Sequence, residues 1–140
     1  MKLPRELIWP LGLAVAIFAA SSTSQLAAPS VNLVLPTDKV AHFLVFGLVA
    51  TSIIRIPWFR RKGWAGVLLV IIITSTFGAL DEYRQSFTPG RTVEFADWIA
   101  DTLGGALAAI LYHRWHWYRA ILERSPRRSR SDDSSPRDRP

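Results

Sequence analysis

The chain contains no cysteine. That excludes disulfides, thiolate metal sites and cysteine nucleophiles, and it says little about compartment. The common catalytic signatures are missing as well: there is no H-E-x-x-H, no G-x-S-x-G and no phosphate-binding loop of the Walker type. Large apolar side chains are absent from the last sixteen residues, "SPRRSRSDDSSPRDRP". Such a segment cannot bury enough surface to offset its ordering entropy, so residues 121–140 read as a disordered basic tail. Charge is absent from residues 63–80, "GWAGVLLVIIITSTFGAL".

What is present is apolar surface in long runs. Residues 40–54, 63–80 and 95–112 are three such stretches, the third interrupted by Asp97 and Asp101. At about 1.5 Å per residue, an eighteen-residue helix is roughly 27 Å long, close to the thickness of a bilayer core. A soluble protein of 140 residues has no interior large enough for three uniformly apolar helices. A fourth stretch, residues 7–20, is shorter and contains Pro10. It reads as a retained helix extended through "SSTSQLAA", with a cleaved signal peptide as the alternative. The expected fold class is therefore all-α. It is a bundle of four transmembrane helices over about 7–27, 38–56, 63–83 and 95–116, the first short and able to serve as a signal-anchor. These form one domain over residues 1–120, followed by the tail.

Basic residues set the orientation. Fourteen of the seventeen lysines and arginines fall on the segments before helix one, between helices two and three, and after helix four. Lys39, Arg84 and Arg91 fall on the other side. Both termini are thus expected in the cytoplasm, with the tail against anionic lipid of the inner face. The arginine–serine pattern of the tail has no aromatic or fold signal beside it, so no nucleic-acid partner is expected. Trp9, Trp58, Trp64, Trp98, Trp115 and Trp117 all lie near expected helix ends, as in an interfacial aromatic belt.

The outer side gathers most of the chemistry. "PTDKVAHF" opens the second helix and sets Asp38 and His42 four apart on one face. "LDEYRQSF" closes the third helix, with Glu82 and Gln85 three apart. "FTPGRT" is a tight turn, with Pro89 and Gly90 suited to its centre, that carries Arg91 back over the bundle. "ADWIADTLGG" opens the fourth helix, with Asp97 and Asp101 four apart and Asp101 about 6 Å deeper. Helix dipoles account for Asp38, Glu94 and Asp97 near N-termini. They disfavour Asp81 and Glu82 at a C-terminus, which need a cation such as Lys39, Arg84 or Arg91. Asp101 lies beyond the first turn, where intramembrane acids usually face a bundle interior or wet cavity. Gly47, Gly78, Gly104 and Gly105 favour close helix contact. His113 and His116 read as interfacial residues rather than metal ligands.

The order of these motifs resembles the VanZ-like membrane proteins. The matching pieces are Ser21 and Ser22, "DKVAHF" at 38–43, "DEYRQSFTPGR" at 81–91 and "DWIADTLGG" at 97–105. The resemblance covers about residues 15–110. It departs at Asp101, where that family commonly has asparagine. It implies a bacterial inner-membrane protein of the cell envelope. The family takes its name from a member associated with resistance to lipophilic glycopeptide antibiotics, especially teicoplanin, and most members have no established activity.

Three mechanisms follow. In the first, Asp38, Lys39, His42, Glu82, Gln85, Arg91, Asp97 and Asp101 form a ligand site for an anionic lipid headgroup or lipid-linked precursor. In the second, Glu82, Asp97, Asp101 and His42, with Asp38, do acid/base chemistry or hold a divalent metal in a hydrolase or transferase. No cofactor is required by the first reading. In the third, the charges only pair the helices, and partner proteins supply the function.

Overall fold

The computed structural model of the chain describes residues 4–22, 37–88 and 93–123. All regular structure among them is helical, in six segments: α1 (Arg5–Ser21), α2 (Thr37–Ile54), α3 (Pro57–Arg61), α4 (Trp64–Gln85), α5 (Phe95–Arg114) and α6 (His116–Leu122). The expected extension of the first helix to residue 27, the Pro89–Gly90 turn and most of the tail lie outside the described residues.

Four long helices stand where the apolar runs are. α4 is long and apolar enough, by length and composition, to cross a membrane, and it is the one helix among the described residues that is. α1 has 17 residues. α2 and α5 carry charge within their first turns, at Asp38 and Asp97.

Two short helices were not legible in the hydrophobic pattern. α3 begins at Pro57, whose missing N–H is no loss at a helix start, and it ends by Lys62. Gly63 then turns the chain into α4 with φ of 57°, a conformation a side chain would strain. The fourth expected helix, over 95–116, ends at Arg114, and a short further helix runs on into residues 121 and 122, which were expected to open the disordered tail. Trp115 is extended, with φ of −102° and ψ of 100°, and α6 restarts after it. The bend brings Tyr118 and Leu122 onto the hydrophobic core, which a straight continuation would carry away from it.

α5 packs most extensively on α2 and then on α4, while α1 leans on α2 and more lightly on α4. The apolar core runs through Phe46, Val49, Ala50 and Ile54 of α2, Val67 and Val70 of α4, and Ala109 and Tyr112 of α5. Small residues set the spacing. A Cβ on Gly104 would meet the backbone carbonyl of Phe43, and one on Gly78 would meet Asp101 Oδ2 at 2.7 Å. Hydrogen bonds add to the α4–α5 contact: Thr102 donates to Ser75 Oγ at 2.9 Å, and Trp98 Nε1 to the Ser75 carbonyl at 3.0 Å.

At the end where α3 meets α6, Arg60 reaches Glu123 at 2.8 Å and the Tyr112 hydroxyl donates to the same carboxylate at 2.5 Å. Arg55 donates to the Leu122 carbonyl at 2.9 Å. His113 lies edge-on against Trp64, with ring centroids 4.6 Å apart.

Candidate functional site

The opposite end holds a polar network in two parts. The first joins α1 to α4. Asp81, Arg84 and Gln85 occupy the last turn of α4, and spacings of three and four residues put them on one face. Arg84 donates to Asp81 Oδ1 at 3.0 Å, and Gln85 donates to Asp81 Oδ2 at 2.9 Å. From α1, the Ser21 hydroxyl lies 2.7 Å from Asp81 Oδ2. Arg84 also donates to Ser22 Oγ at 2.7 Å and lies over the Phe18 ring at 4.2 Å. Gln85 thus serves Asp81, four residues away, rather than the α2–α5 group that holds Glu82.

The second part joins α2, α4 and α5. Asp97 and Asp101, one turn apart on α5, both face His42 of α2. His42 Nδ1 is 2.9 Å from Asp101 Oδ1, and Nε2 is 4.0 Å from Asp97 Oδ2. The other oxygen of Asp97 accepts from Lys39 at 2.9 Å. Lys39 also donates to Glu94 at 2.6 Å and contacts the exposed Asp38 at 3.4 Å. The three ammonium protons are therefore all directed at carboxylates. Glu82 enters from α4 and accepts the Glu94 backbone N–H on Oε2 at 3.1 Å.

Burial makes these charges unusual. Asp101 is 0% exposed, Glu82 5% and Asp97 8%. Two buried carboxylate oxygens, Glu82 Oε1 and Asp101 Oδ2, have no hydrogen-bond partner among the described residues. Glu82 has no described lysine or arginine bonded to it, although the C-terminal end of its helix disfavours an anion. Six acids of the network stand against two permanent cations, Lys39 and Arg84, among the described residues. Arg91, the third expected cation, lies outside them.

Two trios could hold a metal ion: His42, Glu82 and Asp97, and Asp38, Glu94 and Asp97, each with ligand atoms within 4.8 Å of one another. Lys39 already sits among all three acids of the second trio. Of the residues expected from sequence, the structure brings Lys39, His42, Glu82, Asp97 and Asp101 together, with Asp38 at the exposed rim. Sequence reasoning gave no site role to Ser21, Ser22 or Glu94. The serines carry no periodic or charge signal that pairs them with α4. Glu94 read as a helix-start acid, yet it contributes both a carboxylate to Lys39 and an N–H to Glu82.

The sequence model of the VanZ/LLP1 family matches residues 6–117. The chain belongs to the VanZ/LLP1 family. The match spans every residue of both networks. An uncharacterised protein of the fission yeast Schizosaccharomyces pombe is 35% identical over 91 residues, which are 62% of this chain and 55% of that protein. The chain therefore spans about half the length of that relative. A relative in a yeast means that membership of this family does not by itself carry a bacterial origin. No solved structure matches the chain.

Proposed function

We propose that this VanZ/LLP1 protein is a multi-pass membrane protein, with α1, α2, α4 and α5 as spans, that binds the phosphate-bearing headgroup of a lipid or lipid-linked precursor. Support for the membrane comes from the inverted distribution of polarity. Leu44, Leu48, Leu68, Ile72, Leu103 and Leu107 are exposed on the long helices, while Glu82, Asp97 and Asp101 are buried between them. In water that arrangement places large apolar surface against solvent; in a bilayer it is the favoured one, because intramembrane charges face the bundle interior.

The observation that carries the lipid reading is a groove of about 300 Å³ between α2 and α5. Val40, Phe43, Ile99, Ala100 and Leu103 line it, and Lys39 stands at its rim. An acyl chain lying along this open apolar groove would bring its headgroup to Lys39 and the polar network. Arg91, which lies outside the described residues, is the base the sequence offers for a phosphate oxygen pair, since its planar guanidinium suits two oxygens. A relative in fission yeast favours a headgroup common to many membranes over one tied to teicoplanin resistance.

Native mass spectrometry of the protein in mild detergent tests this. Wild type retains a phospholipid-class adduct, and Ala100→Trp, which fills the groove, loses it. A bare wild-type spectrum, or equal retention in Ala100→Trp, would end the reading.

A second reading, a membrane-embedded hydrolase or transferase, draws on one observation: Asp101 holds His42 by Nδ1 and leaves Nε2 facing the site. That is the arrangement of an oriented general base. Turnover of a phospholipid by wild type but not by His42→Gln would establish it.

A further inference from the structure

We propose that His42 Nε2, a Glu82 carboxylate oxygen and Asp97 Oδ2 bind a first-row divalent cation of the Zn²⁺ or Mn²⁺ kind. The three side chains come from three different helices and place their ligand atoms within 4.8 Å of one another. Two ligands each roughly 2.0–2.4 Å from one ion are at most about 4.8 Å apart, so these atoms lie within the reach of a single ion. One imidazole with two carboxylates is a donor set that such ions accept, and the two carboxylates balance the ion's charge.

The partners of each ligand favour a cation over a mere acidic cluster. Glu82 is 5% exposed, and its Oε1 is buried with no hydrogen-bond partner among the described residues. A buried charge without a partner is costly, and a metal removes that cost. Asp97 is anchored through Oδ1 by Lys39, which leaves Oδ2 turned toward His42 Nε2. His42 is anchored through Nδ1 by Asp101 at 2.9 Å. A carboxylate on the far nitrogen of a ligating histidine fixes the ring and its tautomer and strengthens the ligand. Asp101 is thus a positioning residue. Gly78 leaves the room it occupies, since a Cβ there would meet Asp101 at 2.7 Å.

The ion also resolves a conflict in the headgroup reading. An acidic site repels phosphate, and a divalent ion held by its protein ligands bridges the two. That last step rests on the headgroup reading; the metal site does not.

The test is metal uptake by the full chain in detergent micelles, stripped with chelator and titrated with Zn²⁺ or Mn²⁺ in the absence of lipid phosphate. Wild type takes up one equivalent. Glu82→Gln and Asp97→Asn, both near-isosteric, lose it, and Asp101→Asn weakens it about 10–100-fold. No uptake by wild type overturns the proposal without recourse to any variant. Full uptake in both near-isosteric variants also overturns it, by placing the ion elsewhere. Lipid retained in chelator by a protein that binds no metal would sink the metal site and leave the headgroup reading. Metal bound by a protein that retains no lipid would do the reverse.

Discussion

Asp101 shows what a single carboxylate does in this fold. It is fully buried and bonded to His42, so truncation leaves an imidazole without its partner and an emptied space beneath it. Breaking one side of a buried pair typically costs about 3–5 kcal/mol. Asp101→Ala should therefore lower the unfolding free energy by several kcal/mol in denaturant titration. Asp38→Asn, at the half-exposed rim, should change it by no more than about 1 kcal/mol. Equal stabilities of the two variants would refute the buried-pair account. At the other end, the Tyr112 hydroxyl and then Arg60 hold the Glu123 carboxyl below its usual range. A lowered folded-state value means that the contact stabilises above the unfolded pKa of about 4.3 and fades as pH falls through the folded value. The difference in melting temperature between wild type and Glu123→Gln should then shrink as pH drops from 6 toward 3. A pH-independent difference would count against that linkage. The sequence displayed Asp101, since an acid beyond the first turn of an apolar helix is expensive. It did not display Glu123, because neither Tyr112 nor Arg60 lies at a helical spacing from it.

Between α2 and α5 the deciding residue is Gly104. Its place against the Phe43 carbonyl leaves no room for a methyl group, and backbone cannot swing aside as a flexible side chain can. Gly104→Ala should push the two helices apart and destabilise by about 1–3 kcal/mol, the usual scale of overpacking. Gly12→Ala has open space around the added Cβ, and it should stabilise slightly by removing a mid-helix glycine. Circular-dichroism melts of the two variants should move in opposite directions; a shared direction would refute this assignment of the contact. The small-residue pattern made that contact legible. The break at Trp115 was not legible, because the apolar run continues through it. Only the core contacts of Tyr118 and Leu122 account for the bend.

For the molecule as a whole, the charge bias predicts one orientation. The absence of native cysteine makes it directly measurable. Phe87→Cys, beyond the end of α4, should react with a membrane-impermeant maleimide in intact cells. Lys62→Cys, between α3 and α4, should react only after permeabilisation. The reverse pattern would invert the topology, and labelling of both in intact cells would remove the membrane argument altogether. The whole-molecule arrangement also explains why the site is acidic. α2 and α5 bring acids to their N-terminal turns, where the dipole favours them, α4 brings Asp81 and Glu82 to its C-terminal turn against it, and the bundle concentrates all of them at one end.

The sequence by itself determined the helical class, the approximate places of the four long helices, and the acids that had to find partners. Periodicity and the cost of burying charge are local properties, so they can be read without coordinates. Tertiary structure decided who pairs with whom: Lys39 with Glu94 and Asp97, His42 with Asp101, and Ser21 and Ser22 with the α4 end. Those pairings join residues more than fifty positions apart. No spacing rule reaches across such distances, because they depend on the rotation and approach of whole helices.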